Sequence, residues 1–122
     1  MKIRIQGSSI RFRLSQTDVR QLTDEGAVTE FTYFGGSVFS YEVKQSFEAD
    51  QLTASFENGK ITMQIPASYV EDWAINDIVG FEAHVHTAAT DTMYLLIEKD
   101  FKCLDRTTED QSDQYENPNK TC

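Results

Sequence analysis

Cysteine, proline, glycine and positive charge are all scarce in this chain of 122 residues, and each scarcity narrows its class. Two cysteines, Cys103 and Cys122, are too few for a disulfide-stapled scaffold. They are expected as reduced thiols, with a single Cys103–Cys122 bridge as the alternative. Six glycines and two prolines leave an ordinary globular composition, 39% hydrophobic and 25% charged. No apolar run approaches the roughly 18–20 residues that a membrane span needs. The opening MKIRIQGSSIRFR has no continuous apolar core of the secretory kind, so a cytoplasmic protein is expected. G-x-S-x-G, P-loop and dinucleotide-binding fingerprints are missing. Eleven Lys and Arg against twenty Asp and Glu give a net charge of −9, which works against general binding to nucleic acid or anionic membranes. The charge is uneven: residues 1–20 are net +4, leaving −13 for the remainder.

What is present is period-two alternation. Met1, Ile3 and Ile5 alternate with polar residues, Gly7-Ser8 turns the chain, and Ile10, Phe12 and Leu14 return. Ser15 with Asp18 resembles a capping box, and Gly26 after Asp24-Glu25 is a helix stop. Between them lies a helix of about ten residues with a Val19–Leu22 stripe. Strands follow at 27–34 and from Val38 to Val43. Leu52, Ala54 and Phe56, then Ile61, Met63 and Ile65, flank Asn58-Gly59, a strong hairpin signal. Pro66 suits the start of a second short helix carrying Tyr69, Val70 and Trp73. Val79, Phe81, Ala83 and Val85, then Met93, Leu95 and Ile97, make the last two strands.

Shifted by 51 residues, the first half lies on the second. Ile10, Phe12 and Leu14 fall on Ile61, Met63 and Ile65, and Val19 and Leu22 on Val70 and Trp73. Val28 falls on Val79 without a gap. Beyond the Gly35-Gly36 loop the shift becomes 54, setting Phe39, Tyr41 and Val43 on Met93, Leu95 and Ile97. The expected fold is therefore α+β, mostly antiparallel β. Two pseudo-repeated ββαββ halves, 1–50 and 51–101, form a small barrel or packed sheets with the helices plugging the ends. Residues 102–122, with five carboxylates between Asp105 and Glu116, read as an acidic tail, mobile or loosely docked.

The segment ITMQIPASYVEDWAINDIVGFEAHV resembles the strand–helix–strand unit of AbrB/MazE-type swapped-hairpin barrels, with Ile65-Pro66 before the helix and Asn76-Asp77 at the turn. That resemblance implies two such units closing one barrel, a positive φ at Asn76, and DNA binding through basic residues, of which the second unit offers only Lys60. Across the whole chain, the opening Met1–Leu14, the D-F-x-C-L at Asp100–Leu104 and the stretch from Glu109 to Pro118 resemble a family of small uncharacterised bacterial proteins. It implies a cytoplasmic bacterial protein and no established activity.

Two clusters could carry chemistry. Glu82, His84 and His86 share one face of a strand, about 7 Å apart in steps of two, and are ligand types for a divalent metal such as zinc. The alternative is a solvated face opposite the apolar one. Lys2, Arg4, Arg11 and Arg13 make a basic face on the first hairpin. Guanidinium forks suit a phosphate or carboxylate ligand. The same cations could instead pair with Glu30, Glu42 or Glu82, or contact nucleic acid. Triphosphate-tunnel barrels share such basic strands, but their E-x-E-x-K opening is missing. Glu109, Asp110, Asp113 and Glu116 lack EF-hand spacing. The expected function is a non-enzymatic binding or interaction module for a protein partner or small anionic ligand. The alternatives are a metal-dependent enzyme on Glu82, His84 and His86, and a DNA-binding regulator on the basic hairpin.

Overall fold

The computed structural model describes residues 1–101 and 112–116. The alternating segments become eight strands: β1 (Lys2–Gln6), β2 (Ser9–Leu14), β3 (Ala27–Tyr33), β4 (Val38–Ser46), β5 (Thr53–Glu57), β6 (Lys60–Pro66), β7 (Gly80–His86) and β8 (Thr92–Lys99). Helix α1 (Gln16–Glu25) lies between β2 and β3, and α2 (Ala67–Val70) follows β6. The capping box closes in both directions, Asp18 N–H donating to Ser15 Oγ and Ser15 N–H to Asp18 Oδ2. Asn58 (φ 52°) and Gly59 (φ 73°) give the β5–β6 turn the two positive φ values that a type I′ hairpin requires.

The strands form two four-stranded sheets, β1-β2-β8-β7 (sheet A) and β3-β4-β6-β5 (sheet B). Hairpins are antiparallel, but β2 pairs with β8, and β4 with β6, in parallel. Each sheet thus takes one hairpin from each half. The two parallel seams are equivalent in register. Ile10, Phe12 and Leu14 face Leu95, Ile97 and Lys99. Ile61, Met63 and Ile65 face Tyr41, Val43 and Gln45. Shifts of 51 and 54 carry one seam onto the other, residue by residue. One cluster with buried side chains from both sheets, centred on Phe12, Leu14, Val43, Met63, Ile65, Leu95 and Ile97, fills the interior.

Two details differ from expectation. Ala27 pairs with Lys44 and Gly80 with Glu98, so β7 corresponds to β3 at a shift of 53. The counterpart of Val28 is Phe81, which faces Ile97 as Val28 faces Val43; Val79 precedes the strand and is 44% exposed. A slip of two keeps every side chain on its face, so alternation cannot detect it. Asn76, too, is not in the positive-φ region; its side-chain oxygen instead accepts from Ile78 N–H at 3.1 Å.

Nor does the sheet pair close into a barrel with a helix at each end. Parallel pairing makes β2 and β8 finish together, and β4 and β6 likewise. Helix α1 leaves the end of β2, and its last carbonyls accept from Gln45 at the end of β4. Helix α2 leaves the end of β6. Both helices therefore cover one end, burying Val19, Leu22, Val70 and Trp73 there. The opposite end, with the four hairpin loops, has no helix among the described residues.

Of the expected tail, residues 112–116 run beside Phe101 and α1. Tyr115 bridges to Phe101, and Gln16 N–H donates to Asp113 O at 3.1 Å. Cys103, Cys122, Glu109 and Asp110 lie outside the described residues.

Candidate functional site

The two clusters singled out in the sequence share one surface, the outer face of sheet A. Register aligns Lys2, Arg13 and Glu98 in one row, Arg4, Arg11, Leu96 and Glu82 in the next, and Gln6, Ser9, Tyr94 and His84 in a third. The carboxylate expected to neutralise the arginines is a different one. Glu98 Oε1 accepts from Arg11 Nε at 2.7 Å and from Arg13 Nε at 3.0 Å, and Lys2 Nζ lies 3.3 Å from Asp100 Oδ2. Glu42 instead pairs with Lys60 (3.2 Å), Glu30 lies 3.4 Å from the Met1 amine, and Glu82 accepts from Tyr94 O–H at 2.5 Å. The parallel β2–β8 seam, invisible to a strand-by-strand reading, delivers Glu98 to this place. The hydrogen bond to Glu82, then slight burial, raises the Tyr94 pKa above the ordinary phenol value. Arg4 has no hydrogen-bond or ion-pair partner among the described residues and stands opposite Arg11. A shallow pocket of about 160 Å³ lies there, lined by Arg4, Gln6, Ser9, Arg11, Tyr94 and Leu96.

Glu82, His84 and His86 run along the exposed face of β7. The Glu82 carboxylate is held by Tyr94, and the His84 ring lies 4.9 Å from the Tyr94 ring. Among the described residues no three His, Cys, Asp or Glu side chains gather as a group that could hold a metal ion.

A second surface was not foreseen. At the helix-free end, Ile5, Ile10, Phe39, Ala54, Ser55, Phe56, Ile61 and Met93 line a groove of about 390 Å³ between the sheets. Its walls are almost wholly apolar, and they repeat across the pseudo-two-fold: Ile5 with Phe56, Ile10 with Ile61, Phe39 with Met93. Ile5 is 53% and Phe56 66% exposed, although both occupy the core-facing register of their strands. Period-two reading assigns them to the core; it cannot see that the strands outrun the interior at this end. On the outer face of sheet B, Phe31, Tyr33 and Val38 are also exposed, with Phe31 and Tyr33 stacked at 6.3 Å.

A third site sits at the helical end. Lys99 continues the inward register of Met93, Leu95 and Ile97, yet it is a lysine and is only 4% exposed. That is the one signal of this site the sequence carried: a charge at a core position.

Fold and surfaces together define a two-sheet α+β protein with an internal pseudo-two-fold. The chain belongs to the Family of unknown function (DUF7009), whose model matches residues 1–119. No curated protein and no solved structure matches it. Among the described residues no helix is long and apolar enough to cross a membrane.

Proposed function

We propose that this protein is a non-enzymatic binding module whose working surface is the open end between the sheets, and that its occupant is an apolar segment of a partner protein. One observation carries the reading: a groove of about 390 Å³, apolar on nearly every wall, left uncovered by the described residues of a chain of net charge −9. Fully burying an exposed Phe or Ile is favourable by about 1.5–3 kcal/mol; with Ile5 53% and Phe56 66% exposed, covering both supplies roughly 2–3.5 kcal/mol. Three more large apolar side chains, Phe31, Tyr33 and Val38, are exposed on the outer face of sheet B, more apolar surface than one small molecule would cover. The net charge of −9 on the whole chain favours a partner with basic residues flanking its apolar ones.

The DNA-binding alternative has less support, because Arg11 and Arg13 are both engaged by Glu98. The metal-dependent alternative lacks convergence of Glu82, His84 and His86.

Titrating isotopically labelled protein with a basic peptide bearing two large apolar side chains tests the proposal. Amide shifts should concentrate at Ile5, Ile10, Phe39, Phe56, Ile61 and Met93. An acidic peptide of equal apolar content should bind about tenfold more weakly, a difference of about 1.4 kcal/mol. The double variant Ile5→Asn, Phe56→Asn should abolish the shifts while remaining folded, since both side chains are already exposed. Shifts located elsewhere, or unchanged in that variant, would overturn it.

A further inference from the structure

At the helical end, the two halves solve the same structural problem with different chemistry. Gln45, at the end of β4, donates through Nε2 to the Leu22 and Thr23 carbonyls at the end of α1 (2.7 and 3.4 Å), and its N–H donates to Gly26 O. Its counterpart at the end of β8 is Lys99. There the backbone bond is repeated, Lys99 N–H to Val79 O at 2.8 Å, and Nζ donates to Asn76 O at 2.7 Å. A neutral amide is sufficient for this role in the first half, so the positive charge in the second half is surplus to the architecture.

That charge faces a pocket of about 440 Å³ lined by Gln16, Asn76, Asp77, Val79, Lys99, Phe101, Tyr115 and Glu116. The ammonium is sandwiched by aromatic faces, 4.9 Å from the Tyr115 ring centroid and 5.9 Å from that of Trp73. Asn76 O is its one hydrogen-bond acceptor among the described residues, and an ammonium has three N–H donors. Burial lowers the Lys99 pKa, opposed by the field of Asp77. Asp77 lines the same pocket at its exposed rim but makes no ion pair with Lys99. A buried cation with unused donors and a separate carboxylate thus border one cavity, with Val79, Phe101 and Tyr115 as apolar walls.

We propose that this pocket binds a small zwitterion of the amino-acid class. Its carboxylate meets Lys99, its ammonium meets Asp77, and its side chain lies against Val79, Phe101 and Tyr115. Such a ligand bridges two charges that the protein holds apart. A simple anion fits less well, since Asp77 and Glu116 repel it.

The internal repeat supplies the test variant. Lys99→Gln installs the residue that already serves at the equivalent place in the first half, so it should fold. The full chain is screened by thermal shift with the standard L-amino acids at millimolar concentration, and each hit is titrated by calorimetry. A hit is expected, with tyrosine fluorescence or the Tyr115 NMR signals reporting occupancy. Its N-acetyl and carboxamide derivatives should each bind about tenfold more weakly or worse, the scale of one charge-assisted contact. Lys99→Gln and Asp77→Asn should each produce a comparable loss. The proposal is overturned if no amino acid binds, if either derivative binds as well as the parent, or if a folded Lys99→Gln protein keeps full affinity. Should that variant fail to fold, the derivatives and Asp77→Asn still decide the matter.

Discussion

Replacing Gly80 by Ala should destabilise the protein, although alanine is normally the better residue inside a strand. Gly80 opens β7 opposite Glu98. A Cβ built there would lie 2.3 Å from Ile97 O and 2.8 Å from both Glu98 Cα and Cβ. Carbon contacts settle near 3.5–4.0 Å, and two of these obstacles are backbone, so no side-chain rotation relieves the clash. The start of β7 must move away from β8, straining the ladder there and the neighbouring Lys99 N–H to Val79 O bond. Overpacking of this kind costs about 1–3 kcal/mol. Lost backbone freedom of the unfolded chain returns about 0.4–1 kcal/mol. The net expectation is a loss of about 1–2 kcal/mol, or roughly 4–8 °C in Tm for a domain of this size. Urea unfolding followed by circular dichroism measures it, with an unchanged m-value marking an effect on the native state alone. The equivalent place in the first half is Ala27, opposite Lys44, and Ala27→Gly serves as the control, expected to lose only about 0.5–1 kcal/mol. If Gly80→Ala is as stable as the parent, the close approach of β7 to β8 is wrong, and with it the shift of 53 that distinguishes the two halves.

Two further outcomes follow from the ionic contacts. Glu98→Gln removes the negative charge that Arg11 and Arg13 share, leaving only a neutral amide oxygen to accept from them, and should lower stability by about 1–2 kcal/mol, whereas Arg4→Gln should stay within about 0.5 kcal/mol; equal losses in urea unfolding would refute this pairing scheme. Burial pushes the Asp113 carboxyl up, but hydrogen bonds from Ser15 and Thr17, with the nearby Arg20, outweigh it and leave its pKa below the ordinary value of 3.8. Its contribution is therefore fully present above that value and lost as pH falls through the lower folded-state pKa. Acidification should detach residues 112–116 before the sheets unfold, seen as collapse of the Gln16, Thr17 and Tyr115 NMR shifts toward those of Asp113→Asn, and shifts that persist until global unfolding would contradict it.

The strands, the capped first helix and the internal repeat were legible because each rests on local signals: alternation, a Ser15–Asp18 box, Asn58-Gly59. Strand partnership was not. Nothing in the alternation of β2 or β8 says that they lie side by side, and Glu98 was consequently overlooked as the partner of Arg11 and Arg13. The two-residue slip at Phe81 was hidden for a related reason, since both registers place the same residues inward. Of the surfaces, the outer face of sheet A was legible as two separate clusters and became one only through the seam. The open groove was read as core, because Ile5 and Phe56 obey the pattern of buried residues while lying past the end of the interior.

Where the halves differ is more informative than where they agree. The residues that hold the sheets together repeat in kind: Phe12 with Met63, Leu14 with Ile65, Val43 with Ile97, all fully buried. The groove at the open end keeps the pseudo-symmetry, Ile5 against Phe56 and Ile10 against Ile61, so a partner seated there meets two similar walls. At the helical end symmetry fails. Gln45 turns its amide onto α1 and is satisfied, whereas Lys99 keeps donors in reserve beneath Tyr115, a residue with no counterpart in the first half. A buried lysine carries a desolvation penalty that a glutamine avoids, and substitution to glutamine is chemically simple and already exemplified by Gln45. Retaining the ammonium is therefore easiest to understand if something in that pocket needs it, which places the two proposed surfaces at opposite ends of one small fold.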